Sequence, residues 1–264
     1  MKQTILNLFK YRPIDEWTIK GLKENTIHFK CPAEYNDPFD CRLNLIIDGT
    51  EEEWESYRQR IGISKAELNS YKTSRKVTSE NSGTYYKEIH RHSLLNIRMS
   101  CFSEVPDNIL MWSHYANSHK GICLMFETIK FDTIQYMVFN KEDLQYNASN
   151  LPPDHSGIIR VRYEEKLPEA YNHLEYDKDK IAPFLMTKSI DWAYEKEWRM
   201  MLPKEALRTE NPRYIDNQLK GIIFGLSCSE ENKNIIKDIV KGQGVNFYQA
   251  SAIKNEYKLE ICAE

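Results

Sequence analysis

The sequence predicts an α+β fold of short strands in mixed sheets, interrupted by a helical insertion. Three observations carry this. Short apolar or alternating runs recur along the chain, among them Ile5–Tyr11, Ile122–Phe126 and Leu219–Phe224. From Thr50 to about Ile97 the pattern turns charged and helical, with Trp54, Tyr57 and Ile61 on one face at spacings of three and four. No repeat, low-complexity tract or Pro/Gly/Ser linker divides the 264 residues, so 1–264 reads as one domain with an insertion at 50–97.

In chain order, Ile5–Tyr11 is the first strand, ended by Pro13, and Asp15 caps a helix running to about Lys23. Thr26–Phe29 alternates and suits a strand. Cys31–Asp40 turns rather than extends: Asn36-Asp37-Pro38 is strong turn chemistry, with Phe39 placed to pin the turn to the core. A break at Ser79–Thr84 splits the insertion into two or three helices. Ile97–Phe102 is a short strand, Asn108–Ser118 a helix, and Gly121 opens the strong strand Ile122–Phe126. Gln145–Gly157, with Pro152-Pro153, is loop, and Ile158–Tyr163 is strand. A helix over Lys180–Lys188 leads into Ser189–Trp192, followed by a strand at Glu197–Leu202. Gly225 closes the strand Leu219–Phe224; Ser229 caps an amphipathic helix that Gly242 stops; Asn246–Ala250 and Tyr257–Ile261 finish the chain as strands.

Composition excludes several classes. There are 36 Lys plus Arg and 39 Asp plus Glu, a net charge of −3, which argues against blanketing nucleic acid but leaves room for a locally basic cleft. No apolar run approaches the ~20 residues a membrane span needs, so no membrane partner is expected. The start, MKQTILNLFKYRP, lacks a small-residue cleavage site, and a cytoplasmic location is the expectation. The six cysteines show neither C-x-x-C pairs nor zinc spacing. They are expected as free thiols, with Cys101, Cys123 and Cys262 buried in apolar runs.

Four clusters place polar groups where packing alone does not ask for them. In Lys10-Tyr11-Arg12-Pro13, Arg12 at a strand end either forks onto a phosphate or carboxylate or makes a surface salt bridge. In Asn36-Asp37-Pro38-Phe39, Asn36 and Asp37 either bond their own turn or touch a ligand. From Ser100 to Gly121, Trp112, Tyr115 and His119 share a helix face beside Ser103 and His114. Such a face either packs into the core or stacks a flat ring and bonds its edge. In Trp192–Arg199, an extended backbone puts Glu195, Glu197 and Arg199 on one side between aromatic walls. That row is either an edge strand with ion pairs or a pair of tuned carboxylates able to hold a ribose hydroxyl or stabilise a sugar cation.

On these residues the chain resembles a widespread bacterial family of uncharacterised proteins. The shared motifs are the Tyr-Arg start (Lys10–Arg12), the Asn-Asp-Pro-Phe turn (Asn36–Phe39) and the Cys-Phe-Ser-Glu strand (Cys101–Glu104). They continue with Trp-Ser-His-Tyr-Ala (Trp112–Ala116), His-Lys-Gly (His119–Gly121) and Glu-x-Glu-Trp-Arg (Glu195–Arg199). More distantly, their order looks like the ADP-ribosyltransferase layout, including abortive-infection proteins of the AbiGi type. That resemblance implies a single catalytic-type domain of ADP-ribosyltransferase fold. It implies NAD as substrate without a metal, cleavage of the nicotinamide–ribose bond, and transfer of ADP-ribose to an unknown protein or nucleic-acid acceptor. It also implies a role as toxin or phage-defence effector, with an antitoxin or other partner protein. Carried over by position, Arg12 holds the NAD ribose or phosphate, Ser103 or Tyr115 supports the nicotinamide ribose, and Glu197 stabilises the oxocarbenium-like transition state. Glu195 positions the acceptor. Tyr11, Asn36, Asp37, Trp112, His114 and Arg199 complete the expected binding set.

Two other readings compete. Asp191 with Glu195-Lys196 loosely matches the acid and Glu-x-Lys set of a metal-dependent nuclease. Alternatively, the same clusters form the pocket of a non-catalytic nucleotide-binding defence module.

Overall fold

The computed structural model describes residues 6–43, 45–46, 49–78, 94–131, 134–145, 155–175 and 180–264. The chain divides into two compact units: Met1–Lys30 with Ile97–Val161 and Asp191–Glu264, and Cys31–Asn96 with Arg162–Ile190.

Among the described residues the first unit has nine strands in one sheet. They are β1 (Leu6–Arg12), β2 (Ile97–Ser103), β3 (Ile122–Phe131), β4 (Ile134–Val138) and β5 (His155–Arg160), then β6 (Glu197–Pro203), β7 (Leu219–Phe224), β8 (Asn246–Ala252) and β9 (Leu259–Ala263). Its helices are α1 (Glu16–Glu24), α2 (Ile109–Tyr115) and α3 (Glu230–Ile239). The strand order β1-β2-β6-β5-β4-β3 returns to β1, because β3 pairs with β1 from Leu6↔Thr128 to Arg12↔Ile122. Six antiparallel strands thus close a barrel. The other edge of β3 is shared: Ile129–Phe131 pairs with β4, while Ile122–Phe126 pairs with β7. From β7 the sheet leaves the barrel, to β8 in parallel and then to β9 antiparallel. The parallel step needs a crossover, which α3 supplies.

Strand alternation explains the layering. Each barrel strand gives at least one large apolar residue to a single cluster, among them Leu8, Phe102, Phe126, Met137, Ile158 and Met200. The neighbours Phe9, Tyr11 and Cys123 face the other way and are covered by Met111 and Trp112 of α2. The mixed α+β class is therefore as expected, but the closed barrel is a feature that short-strand patterning did not foretell.

The helix ends follow their caps. Asp15 accepts from Thr18 N at 2.7 Å and Asn25 closes α1 in the left-handed region. Ser229 caps α3 through Asn232 N at 3.2 Å. The helix expected over Asn108–Ser118 starts on its Asn108 cap but ends at Tyr115. Asn117, Ser118 and His119 instead take φ of 48°, 53° and 66°. A left-handed run costs roughly 1–2 kcal/mol per residue, so it requires a tertiary reason. Gly121 gives one: its N–H donates to Ala116 O at 2.8 Å, and its α-carbon lies against the carbonyls of Arg12 and Ala116. The chain must reverse tightly here for β3 to join β1.

The second unit contains the helices Glu51–Ile61 and Lys65–Thr78, within the expected insertion. Trp54 and Tyr57 are buried with Leu68 and Leu174, as the helical spacing predicts, with Ile61 packed alongside. Thr50 and Glu53 form a reciprocal capping box. This unit also draws on 162–190, through the pairings Leu45↔Tyr171 and Arg162↔Thr187. The expected helix over Lys180–Lys188 is reduced to Ala182–Leu185, followed by the strand Thr187–Ser189. The break expected at Ser79–Thr84 lies outside the described residues. All six cysteines are unbridged; Cys123 is buried as expected, Cys101 is partly buried, and Cys262 is exposed on β9.

Candidate functional site

The Glu-x-Glu-x-Arg row is not one strand. Glu195 ends a 3-10 segment (Ile190–Glu195), and Lys196 at φ 43° turns the chain before β6 begins at Glu197. The expected row of two carboxylates is therefore corrected to two separate arrangements. Glu197 and Arg199, two apart on β6, do share a face, and the guanidinium forks onto the carboxylate through Nε at 2.8 Å and Nη2 at 3.1 Å. Arg199 is fully buried and Glu197 nearly so. Register with β2 sets Arg199 opposite Cys101 and Glu197 opposite Ser103. Burial, reinforced by the Glu197 carboxylate, pushes the Cys101 thiol up to about 12. Glu195 instead receives the Tyr115 hydroxyl on its Oε1 at 2.6 Å, and its carbonyl accepts from Ser103 Oγ at 2.6 Å. Trp198 Nε1 and Arg160 Nη2 both donate to Glu104, at 2.8 and 3.2 Å. The Cys-Phe-Ser-Glu and Glu-x-Glu-Trp-Arg motifs are thus two halves of one polar lattice between β2 and β6, buried at Ser103, Glu195, Glu197 and Arg199 and open to solvent at Arg160.

Other expected site residues take packing roles. Trp112 is fully buried, edge-on to Tyr11 with ring centroids 5.1 Å apart, and its indole N–H donates to Pro106 O at 2.8 Å. Tyr11 donates to Val105 O at 2.7 Å, and burial raises its phenol far above the usual range. His119 is off the helix face predicted for it. It stacks on Trp112 and meets Ser113 Oγ through Nε2 at 3.1 Å, and burial lowers its imidazole below the usual range. His114 is exposed, with its ring near Trp192. Asp37 accepts from Phe39 N at 2.8 Å, the turn-bonding alternative, but Phe39 is exposed with Arg42 over its ring rather than pinned to the core. Asn36 and Asp37 both belong to the second unit.

Arg12 stands apart from the carboxylates. Alternation on β1 puts Arg12 and Lys10 on the Leu8 side, facing the barrel interior at the end of the strand, and Tyr11 on the other. Both basic residues line a cleft of about 740 Å³ at this barrel mouth, bounded by α1 and the segment Thr209–Tyr214. None of Ser103, Tyr115, Glu195 and Glu197 lines it. Among the described residues Arg12 has one hydrogen-bond acceptor, Thr18 Oγ1 at 3.3 Å from its Nε, so its two terminal nitrogens are unengaged. Asp15 is within electrostatic reach but its Oδ1 caps α1. Lys10 donates to Ser100 Oγ and Cys101 O, both at 2.9 Å, above the Phe102 ring. Burial, with Arg12 beside it, brings the ammonium down to about 8. Trp17, two-thirds exposed, and the exposed Lys20, His28 and Lys30 form the rim. Sequence reading singled out Arg12 but passed over Lys10 and the rim. The Lys-x-Arg spacing on a strand was the available signal, since residues two apart share a face.

Among the described residues no three His, Cys, Asp or Glu side chains group as metal ligands, and no helix is long and apolar enough to cross a membrane. Asp191 and Glu195, the acids of the nuclease reading, lie in the same 3-10 segment.

No match is found among curated proteins or solved structures. Residues 111–200, which run from within α2 to Met200 on β6, match a family described as a protein of unknown function (DUF2971), in agreement with the resemblance to uncharacterised proteins.

Proposed function

We propose that the first unit is a nucleotide-binding module whose barrel-mouth cleft takes the phosphates of the ligand, with Arg12 as anchor and NAD as the first candidate. The observation that carries this reading is the half-buried Arg12 guanidinium with its terminal nitrogens unengaged in a cleft of ligand size. Donors removed from bulk water are costly to leave unmatched, and a guanidinium fork matches a phosphate. Lys10 adds a second cation two residues away on the same face, and barrel mouths are frequent ligand sites.

Binding is favoured over NAD cleavage because the groups required for cleavage are elsewhere. Glu197 is held in a bidentate pair with Arg199, and Tyr115 donates to Glu195, outside the cleft. Calorimetric titration with NAD is expected to give binding that Arg12→Ala weakens by about 1.5–3 kcal/mol, the range for hydrogen bonds to charged groups. Equal affinity in the variant removes Arg12 and this reading with it. NAD is expected to be recovered intact after long incubation; release of nicotinamide returns the transferase reading.

Affinity should also depend on pH. Lys10 keeps its proton below about 8, so its attraction for phosphate is present at pH 7 and lost as pH rises toward 9. A titration series between those values tests this, and a flat profile takes Lys10's charge out of the binding site.

A further inference from the structure

Lys10 is more than a second cation. It lies two residues from Arg12 on the same face of β1, so their α-carbons are about 6.6–6.8 Å apart along the strand. A ligand with phosphate on Arg12 therefore brings its next few atoms to Lys10. A neutral amine has two N–H donors and one lone pair, and Ser100 Oγ and Cys101 O stand at 2.9 Å to take both donors. Among the described residues nothing else bonds the nitrogen, so its lone pair is left unengaged.

Resting on the phosphate reading of this cleft, we propose that Lys10 is a nucleophilic amine and that the cleft takes phosphate-bearing aldehydes or ketones, which it captures as imines. The charges around it set the balance. Arg12 on β1 disfavours the ammonium, while Cys101 on β2 and then Glu197 on β6 favour it, as does the Phe102 ring on β2. At the rim and walls, Lys20, His28 and Lys30 oppose Asp15, Glu24 and Glu210. Burial is the largest influence and brings the group to about 8, so a useful share is neutral at physiological pH. Desolvation beside another cation is a known way to activate a lysine. In the step itself the ammonium first loses its proton to solvent. The nitrogen lone pair then forms the C–N bond to the carbonyl carbon as the C=O π pair moves onto oxygen; the nitrogen gives up its two protons through solvent to that oxygen, the C–O bond breaks to release water, and C=N remains. No electron donor or acceptor is involved.

The test uses the intact protein with two probes, pyridoxal 5′-phosphate and pyridoxal, at limiting concentration. Borohydride traps the imine and peptide mapping locates it. Lys10 should be labelled about tenfold or more faster than the exposed rim residues Lys20 and Lys30, with a rate that rises to half its maximum near pH 8. The phosphorylated probe should outpace pyridoxal at Lys10. Lys10→Arg, which keeps a cation and donors for Ser100 and Cys101, should lose this labelling alone. Labelling of Lys10 no faster than of Lys20 and Lys30 overturns the nucleophile, even where NAD binding depends on Arg12. Fast labelling of Lys10 with equal rates for the two probes overturns the phosphate-bearing ligand class, and the cleft reading with it.

Discussion

Replacing Arg199 by methionine should destabilise the first unit by about 3–5 kcal/mol, read as a loss in denaturant-unfolding free energy. The side chain is fully buried and forks onto a carboxylate that is itself 4 % exposed. Removing the guanidinium leaves Glu197 inside the lattice without that partner, and a stranded charge costs more than the pair is worth. The double variant Glu197→Leu/Arg199→Met should recover a large part of the loss, because two apolar groups of similar size remove the charge altogether. A single change costing under ~1 kcal/mol would show that the pair is not desolvated in solution. The same pair explains why Glu197 is a poor choice for a reacting carboxylate: its charge is committed to holding β6 against β2.

Gly121→Ala is the other large effect, expected at about 3 kcal/mol or more. A methyl there would overlap the Arg12 carbonyl and press on Ala116 O at 2.9 Å. Both are backbone atoms that cannot rotate aside, so the β1–β3 seam must open at the end carrying Arg12. Thermal melts should show the loss, and NAD affinity should fall with it. Gly242→Ala is the control: its φ is +82° but an added Cβ meets nothing within 4 Å, so only the left-handed penalty of roughly 1–2 kcal/mol applies. Equal losses at the two glycines would deny the close approach at Gly121.

Much of the fold could be read from local pattern. The strands β1, β2, β3, β6 and β7, the caps at Asp15 and Ser229, and the buried face of Trp54 and Tyr57 all follow from period and capping chemistry. Local pattern fails where tertiary contact overrules local preference. Glu195 reads as strand from alternation, yet Lys196 adopts a left-handed turn that no spacing rule announces. His119 sits four after Tyr115, but the chain leaves the helix at Tyr115. The cleft was half legible. Strand-end position marks Arg12 as an anion ligand, but placing Lys10 beside it on the cleft lining, and Glu197 outside that lining, requires knowing which strand faces look into the barrel. That depends on partners far along the chain.

Those distant partners have a price in time. Lys10 meets Ser100 across 90 positions, and Trp198 meets Glu104 across 94. During synthesis β1 must wait on the ribosome, both long sides bare, until β2 and β3 are made, and the ring cannot shut before β6 is out of the exit tunnel. Assembly dominated by such remote pairings is slow, and waiting strands invite pairing with neighbouring chains. Yield in cells should therefore track chaperone supply and translation speed more closely than it tracks the stability of the finished molecule.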